Sequence, residues 1–434
     1  MTLIDAREIA ADPLSTARLG EAGLDYRVID MADDLAAAAF ARAGERGFLN
    51  PDPAPEAVAE IREAFAARRN IGVFDPASTG LKGVPVATVN SFVTPLTVPG
   101  GTLDMWAVSA VTVNGTHRRR GIARNLLEGE LRSAVAAGAA IAGLTVTEAT
   151  LYGRYGFGPA VPVSTFTVDA RRAGWAAVPS PGRLETIERE QLAEALAELH
   201  ERTRVARAGQ IPGWNRRWRQ LAGLAAADER GRNVRGVRYL DEDGVMQGVM
   251  AYTLEPLTGA FGADLVVRHV IGTTPEGMRA VWGFAVNHDL VRTVTAALRP
   301  ADDPLPLLVA DQRAVQNVVH DHGWLRILDV PAALTARTYR APLDIVIAVT
   351  DPYGYASGSW RLRIGQDGTA AVAEDAGVPD VEMGVAALST LYLGGVRATA
   401  LRVAGLLRTA SKEAAVEIDD AFRSITAPAL TIWY

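Results

Sequence analysis

The segment from Met105 to Val146 leaves this chain few folds to choose from. Residues 105–113 are β-branched and aromatic at strand length. Residues 121–137 put Ile122, Leu126, Leu127, Leu131, Ala134 and Val135 on one helical face, and residues 141–146 are a short apolar run. Strand, crossover helix and second strand make the repeating unit of a parallel sheet with a helix over one face. Gly138 stands where such a helix stops. The connecting loop, Thr116-His117-Arg118-Arg119-Arg120-Gly121, brings three arginines and a glycine to the helix start. The amides of a first helical turn are unpaired and carry roughly half a positive charge, so an anion is stabilised there. The arginines add charge-assisted donors, and Gly121 lets the backbone come close, which predicts a phosphate or pyrophosphate ligand. Neither Gly-Lys-Ser/Thr nor repeated Gly-x-Gly-x-x-Gly glycines are present, which excludes the Walker and dinucleotide loops.

Composition narrows the chemistry. The 434 residues suffice for two to four domains, and the absence of cysteine excludes disulfides, thiolate metal sites and a cysteine nucleophile. A net charge of -6 argues against a nucleic-acid binder and suits cationic partners. Asp5, Arg7 and Glu8 leave no room for a signal sequence in the first ten residues. Prolines and glycines break the uncharged stretch 83–103, so the expectation is a cytoplasmic protein without a membrane segment.

Three domains are expected, at 1–170, 171–310 and 311–434. The first is α/β, with helices near 35–43 and 57–68. The second begins after the Pro/Gly stretch 178–182. It repeats strand, helix, strand over 265–271, 275–287 and 290–298, but its loop Gly272-Thr273-Thr274-Pro275 lacks arginines and suggests a duplicate without a ligand loop. The third places strands near 344–350, 359–364 and 369–373 before helices near 383–391 and 398–407, an α+β order.

Arg118-Arg119-Arg120-Gly121-Ile122-Ala123 matches Arg/Gln-x-x-Gly-x-Gly/Ala, and Tyr152-Gly153-Arg154-Tyr155-Gly156-Phe157 follows about thirty residues on. The pair resembles the acyl-CoA signature of the GCN5-related N-acetyltransferases (GNAT). The longer stretch 147–160 is similar to the Eis (enhanced intracellular survival) family of actinobacterial acetyltransferases. So are residues 324–334 and Leu391-Tyr392-Leu393-Gly394-Gly395. That resemblance implies tandem GNAT domains, the second degenerate, plus a C-terminal sterol-carrier-like α+β domain. It also implies a homo-hexamer, acetyl-CoA as co-substrate with no metal, and amine substrates such as aminoglycosides.

Carried over by position, Val111, Thr112 and Val113 offer backbone groups to pantetheine. Arg118, Arg119, Arg120, Gly121, Ile122, Ala123 and Arg124 hold the pyrophosphate, with Thr147 and Glu148 near the reacting end. Tyr152 serves the departing thiolate, and the terminal carboxylate of Tyr434 serves the amine. A phenol near 10 gives its proton to a thiolate near 8.5 uphill by roughly 2 kcal/mol, so Tyr152 acts first as a hydrogen-bond donor. A carboxylate near 3.5 is about 6–7 units short of deprotonating an alkylammonium, roughly 9 kcal/mol. It is suited to binding the ammonium and accepting a proton after attack. Trp433 stands where some family members carry an acidic residue, which weakens the aminoglycoside assignment relative to cofactor use.

The alternatives are a lysine or polyamine acetyltransferase, or a non-catalytic lipid carrier. His320 and His322 read as a solvated pair, and His117 as a packing or capping residue. Glu45 and Asp52 are candidates for collecting a polyamine, and Trp214, Trp218 and Trp282 for lining an apolar pocket.

Overall fold

The computed structural model describes residues 3–434. They form two compact units, one of 3–160, 323–424 and 434, the other of 161–322 and 425–433. Among the described residues no helix is long and apolar enough to cross a membrane.

The first unit opens with α1 (Pro13–Glu21), β1 (Asp25–Val28), α2 (Asp34–Gly47), α3 (Pro55–Phe65) and β2 (Arg69–Phe74). Asp12 and Asp33 cap α1 and α2 through their carboxylates, and prolines start α1 and α3 where no amide is needed. Next come β3 (Ala87–Val98), β4 (Gly101–Val113), α4 (Ile122–Ala136), β5 (Ile141–Thr145) and α5 (Ala149–Tyr152). The strands lie in the order β1-β2-β3-β4-β5, antiparallel until β4 and β5 meet in parallel. Val135, expected on the apolar face of α4, is exposed, whereas Ile122, Leu126, Leu127, Leu131 and Ala134 pack with Trp106, Val108 and Leu144 in one core. Beneath it the buried Arg69 pairs with Glu130, which also accepts from Trp106 Nε1. A buried charge persists only with such a partner.

β6 (Gly158–Asp169) leads the chain into the second unit. There follow α6 (Ala170–Ala173), β7 (Arg183–Ile187), α7 (Arg189–Arg204), α8 (Asn215–Leu221), β8 (Arg235–Leu240), β9 (Met246–Pro256), β10 (Ala263–Gly272), α9 (Pro275–Val286) and β11 (Val291–Pro300). The sheet order is β6-β11-β10-β9-β8-β7, and again one neighbouring pair, β10 and β11, is parallel with a helix between. Its core holds Trp282, Val281, Val294 and Phe166. After α10 (Leu305–Leu308), β12 (Val315–Ile327) brings the chain back, its last five residues pairing antiparallel with β5.

The remainder of the first unit contains α11 (Val330–Thr335), β13 (Leu343–Thr350), β14 (Gly358–Ile364), β15 (Ala370–Glu374), β16 (Val381–Gly384), α12 (Val385–Leu391), α13 (Ala398–Val403), β17 (Leu407–Thr409) and α14 (Lys412–Phe422). Their five strands form a separate sheet, β15-β14-β13-β16-β17. The helix expected over 383–391 begins instead at Val385, because Val381–Gly384 pairs with β13.

His320 is exposed, but His322 is not part of a solvated pair. It is 1% exposed, lies edge-on to Trp433 at 4.4 Å and shares a 3.2 Å hydrogen bond with Ile432 O. Burial lowers its pKa to about 4. The reason is tertiary: residues 425–433 return to the second unit and cover a ring that the local sequence leaves bare.

Candidate active site

The site starts from a strand pair that separates. β4 and β5 are joined only at Trp106↔Ala142 and Ala107↔Gly143. On its other side β4 stays paired to β3 as far as Val113, with a bulge between Thr88↔Thr112 and Asn90↔Ser109. Within the bulge Ala110 has φ 50°. A bulge bends its strand, so Val111–Val113 diverges from β5 with the backbone groups on that edge unpaired. Thr112 faces inward and shares a 2.7 Å hydrogen bond with Thr88 Oγ1. Val111 and Val113 are partly exposed. An extended amide-bearing ligand fits this edge as an added strand would.

At the end of β4 the loop takes a shape suited to an anion. Arg119 has φ 64°, Gly121 has φ 77°, and Gly121 sits at the N-cap of α4 with no side chain bonded to the first-turn amides. Left-handed residues alternating with ordinary ones turn successive N–H groups into one concavity. Arg119, a non-glycine held there, stores strain of about 1 kcal/mol or more. Ile122 sends its side chain into the core and has only its amide to offer, whereas Ala123 is half-buried.

The arginines are not equivalent. Arg118 borders a cavity of about 380 Å³ together with Arg46 and Asn50. Arg120 lies 3.8 Å from Asp75, which also meets His117 Nε2 at 3.0 Å, so His117 anchors the loop. Arg124 is held by Glu128 at 2.6 Å. Glu128 further accepts from Arg18 at 2.9 Å and from Tyr353 Oη at 3.3 Å. Burial pushes its carboxyl up, but these bonds outweigh it and hold the group below its ordinary range. Arg124 must therefore exchange partners to reach a pyrophosphate. The candidate amine collectors are committed as well: Asp52 pairs with Arg42 and Arg46, and Glu45 accepts from Asn50 at 2.7 Å.

The predicted catalytic groups converge on the end of β5. Tyr152, 5% exposed, packs edge-on against Phe157 at 6.3 Å. Burial and then the nearby Glu148 raise its pKa to about 12, against a hydrogen bond from Thr147 that lowers it. Tyr152 is thus a neutral donor across the physiological range, with Thr147 and Glu148 beside its hydroxyl. Thr145 Oγ1 donates to the main-chain oxygen of Tyr434 at 3.0 Å. The Tyr434 ring meets Phe92 edge-on at 5.9 Å, and its buried phenol has a raised pKa. Gly143 allows that approach, since a Cβ there would come within 3.1 Å of the Tyr434 hydroxyl.

Sequence reading missed Thr145, Phe92 and Gly143, which have no local signature. It also missed Glu128, whose position four residues after Arg124 was the available signal. It missed a brace on the Tyr152 segment too. Buried Arg326 donates to Tyr155 O at 2.9 Å and to both oxygens of Asp351 at 2.7 Å.

The second unit repeats this geometry with a different outcome. β10 and β11 part after Val267↔Ala296, and β10 is bulged against β9 between Val267 and His269. Here Arg299 enters the gap: its Nη1 donates to Val270 O at 2.8 Å, and its Nε and Nη2 hold Asp303 at 2.9 and 2.7 Å. Trp282, fully buried, lies under the guanidinium at 5.5 Å. The helix start is closed too: Thr274 Oγ1 caps Gly277 N at 3.1 Å, and Pro275 brings no amide.

Comparison with known proteins gives the family. Residues 29–160 and 210–327 each match an acetyltransferase (GNAT) domain family, and residues 330–431 match a sterol carrier protein domain. An uncharacterised N-acetyltransferase of Streptomyces griseus is 35% identical over 416 residues, covering 92% of this chain and 97% of its own. The N-acetyltransferase Eis of Mycobacterium tuberculosis is 32% identical over 343 residues, covering 76% and 81%. The crystal structure of Eis1 from Mycobacterium abscessus superposes with a TM-score of 0.77 at 29% identity, covering 95% of this chain and all of that one. The chain belongs to the Eis family of GNAT N-acetyltransferases, with two GNAT domains followed by a sterol-carrier-like domain.

Proposed function

We propose that the first GNAT domain acetylates primary amines, aminoglycosides among them, by direct attack in a ternary complex with acetyl-CoA. The observation that carries this reading is the parting of β4 from β5 with Tyr152 and Tyr434 both set at the end of β5. Val111–Val113 binds the pantetheine amides. The loop from Arg118 to Gly121, the amides of Ile122 and Ala123, and Arg124 once released from Glu128 bind the pyrophosphate. Thr147 and Glu148 flank the reacting end.

The acceptor binds through its ammonium to the Tyr434 carboxylate, loses a proton to water and attacks the thioester carbon as a neutral amine. The C–N bond forms and the C–S bond breaks. The carboxylate takes the proton that the acylated nitrogen sheds, and the leaving thiolate is stabilised by the Tyr152 hydroxyl. With a phenol near 12, transfer of its proton to a thiolate near 8.5 is uphill by about 3.5 units, roughly 5 kcal/mol, so Tyr152 works as a donor and not as an acid.

Room for a polyamine of several rings is offered by a cavity of about 980 Å³ bordered by Asp30, Glu60, Glu63 and Arg68. The Arg68 guanidinium lies 4.0 Å from the Phe92 ring that packs on Tyr434. A homo-hexamer and a cytoplasmic location complete the reading, on the family resemblance. Thiol release from acetyl-CoA over a panel of kanamycin-type, polyamine and lysine-peptide acceptors tests it. Turnover is expected and is greatest with the aminoglycosides. Preference for lysine peptides would reassign the substrate, and no turnover with any amine would overturn the reading.

A further inference from the structure

The second unit contains a cation without a counter-charge. Arg217, on α8, has a buried Nε without a hydrogen-bond partner, and among the described residues no carboxylate pairs with its guanidinium. Fully buried arginines elsewhere are treated differently: Arg69, Arg299 and Arg326 each have a carboxylate, Glu130, Asp303 and Asp351 respectively, and Arg337 donates to the main-chain oxygens of Thr338, Tyr392 and Phe422. Around Arg217 the charge has the same sign. Arg216 and Arg268 lie within electrostatic reach, and after burial they are the groups that pull its pKa down to about 10. Arg268 is already engaged by Asp228 at 2.9 Å and Gln220 O at 2.8 Å.

A second group of the unit is also unsatisfied. His269 is 5% exposed, its Nε2 has no partner, and it feels the charge of Arg217. Burial drives its pKa well below the ordinary value, so the ring is neutral and carries one free nitrogen. Trp218 fixes it in place, its ring 6.2 Å from His269 and 4.8 Å from His200, which is itself bonded to Ile211 O at 2.8 Å. Arg217 itself is partly exposed, so solutes can reach it.

A guanidinium presents parallel N–H groups that match a carboxylate or phosphate. A cationic ligand would be repelled by the neighbouring arginines, and a neutral one would leave the charge uncompensated. We propose that Arg217 and His269 form a binding recess in the second GNAT domain for a small oxyanion, a carboxylate or a phosphate. This inference is independent of the acetyl-transfer reading, since none of its residues belongs to the first unit. A domain whose acyl-CoA cleft is filled from within keeps in this way a site for a different ligand.

Thermal unfolding of the full chain tests it, with chloride, inorganic phosphate or succinate at matched ionic strength, in wild type and Arg217→Met. General salting effects, and phosphate bound at the Arg118–Gly121 loop, act on both proteins and cancel in the comparison. At least one oxyanion is expected to raise the wild-type Tm saturably, with the half-saturating concentration at least tenfold higher in Arg217→Met. A response confined to phosphate or to succinate identifies the source. Without oxyanion, Arg217→Met is expected to be no less stable than wild type, because it removes an uncompensated charge. Equal responses of the two proteins would overturn the proposal. So would a variant several degrees less stable in chloride, which would make Arg217 a structural residue.

Discussion

The two GNAT domains share one architectural device and use it in opposite ways. In each, a parallel strand pair separates beside a bulge, between Ala107 and Val113 in the first and after Val267 in the second. In the first the exposed edge of β4 is free and the start of α4 has no side-chain cap. In the second Arg299 occupies the gap, and Thr274 and Pro275 close the helix start. The backbone groups that a cofactor would satisfy must otherwise be satisfied from within. The second domain therefore differs by more than the absence of loop arginines: its own side chains make the bonds that a ligand would otherwise make.

The largest effect is expected from breaking that internal closure. Arg299→Met leaves Asp303 buried without its cation and should cost about 3–5 kcal/mol of stability by denaturant unfolding, while the double change Arg299→Met/Asp303→Leu recovers most of it. Turnover per folded molecule is expected to be unchanged; a loss of turnover in the double variant would mean that the second cleft takes part in catalysis.

Next in size is Tyr152→Phe, which removes one hydrogen-bond donor aimed at the leaving sulfur and should lower kcat by about 10²–10³-fold with KM for acetyl-CoA little changed. The sign of its pH dependence follows from the raised pKa. The protonated phenol is the active form and persists up to about 12, so the wild-type rate should not fall with tyrosine ionisation anywhere between pH 6 and 10. A decline centred near pH 8 or 9 that disappears in Tyr152→Phe would contradict the donor role.

Thr274→Ala should act least. It removes the cap of α9, costs about 1 kcal/mol and leaves CoA binding as it was.

What the sequence disclosed follows the same division. The turn over Arg118–Gly121 and the helix that follows it were legible because they depend on residues adjacent in the chain: a helix start, a glycine where φ is positive, a short motif. The hollow second loop was legible as an absence of arginines. Its replacement was not, because Arg299 lies 29 residues from the carbonyl it satisfies, and a lone arginine in a strand has no period to betray it. His322 misled for the same reason, its cover coming from Ile432 and Trp433 some 110 residues later. Strand Gly158–Asp169 also escaped notice, since Pro159 and Pro162 interrupt the apolar alternation that marks a strand. Arg124 was assigned to pyrophosphate from its place in the loop, although Glu128 one turn later marks a competing partner.

Calorimetric titration of CoA into wild type and into Gly121→Val tests the central claim most directly. Valine at φ 77° is strained and distorts the start of α4, which carries no side-chain cap, whereas the corresponding helix start of the second domain, at α9, is capped by Thr274. The account predicts one CoA per chain in wild type and at least a hundredfold weaker binding in the variant. Two per chain, or binding that survives Gly121→Val, would show that the second cleft is open and would contradict it.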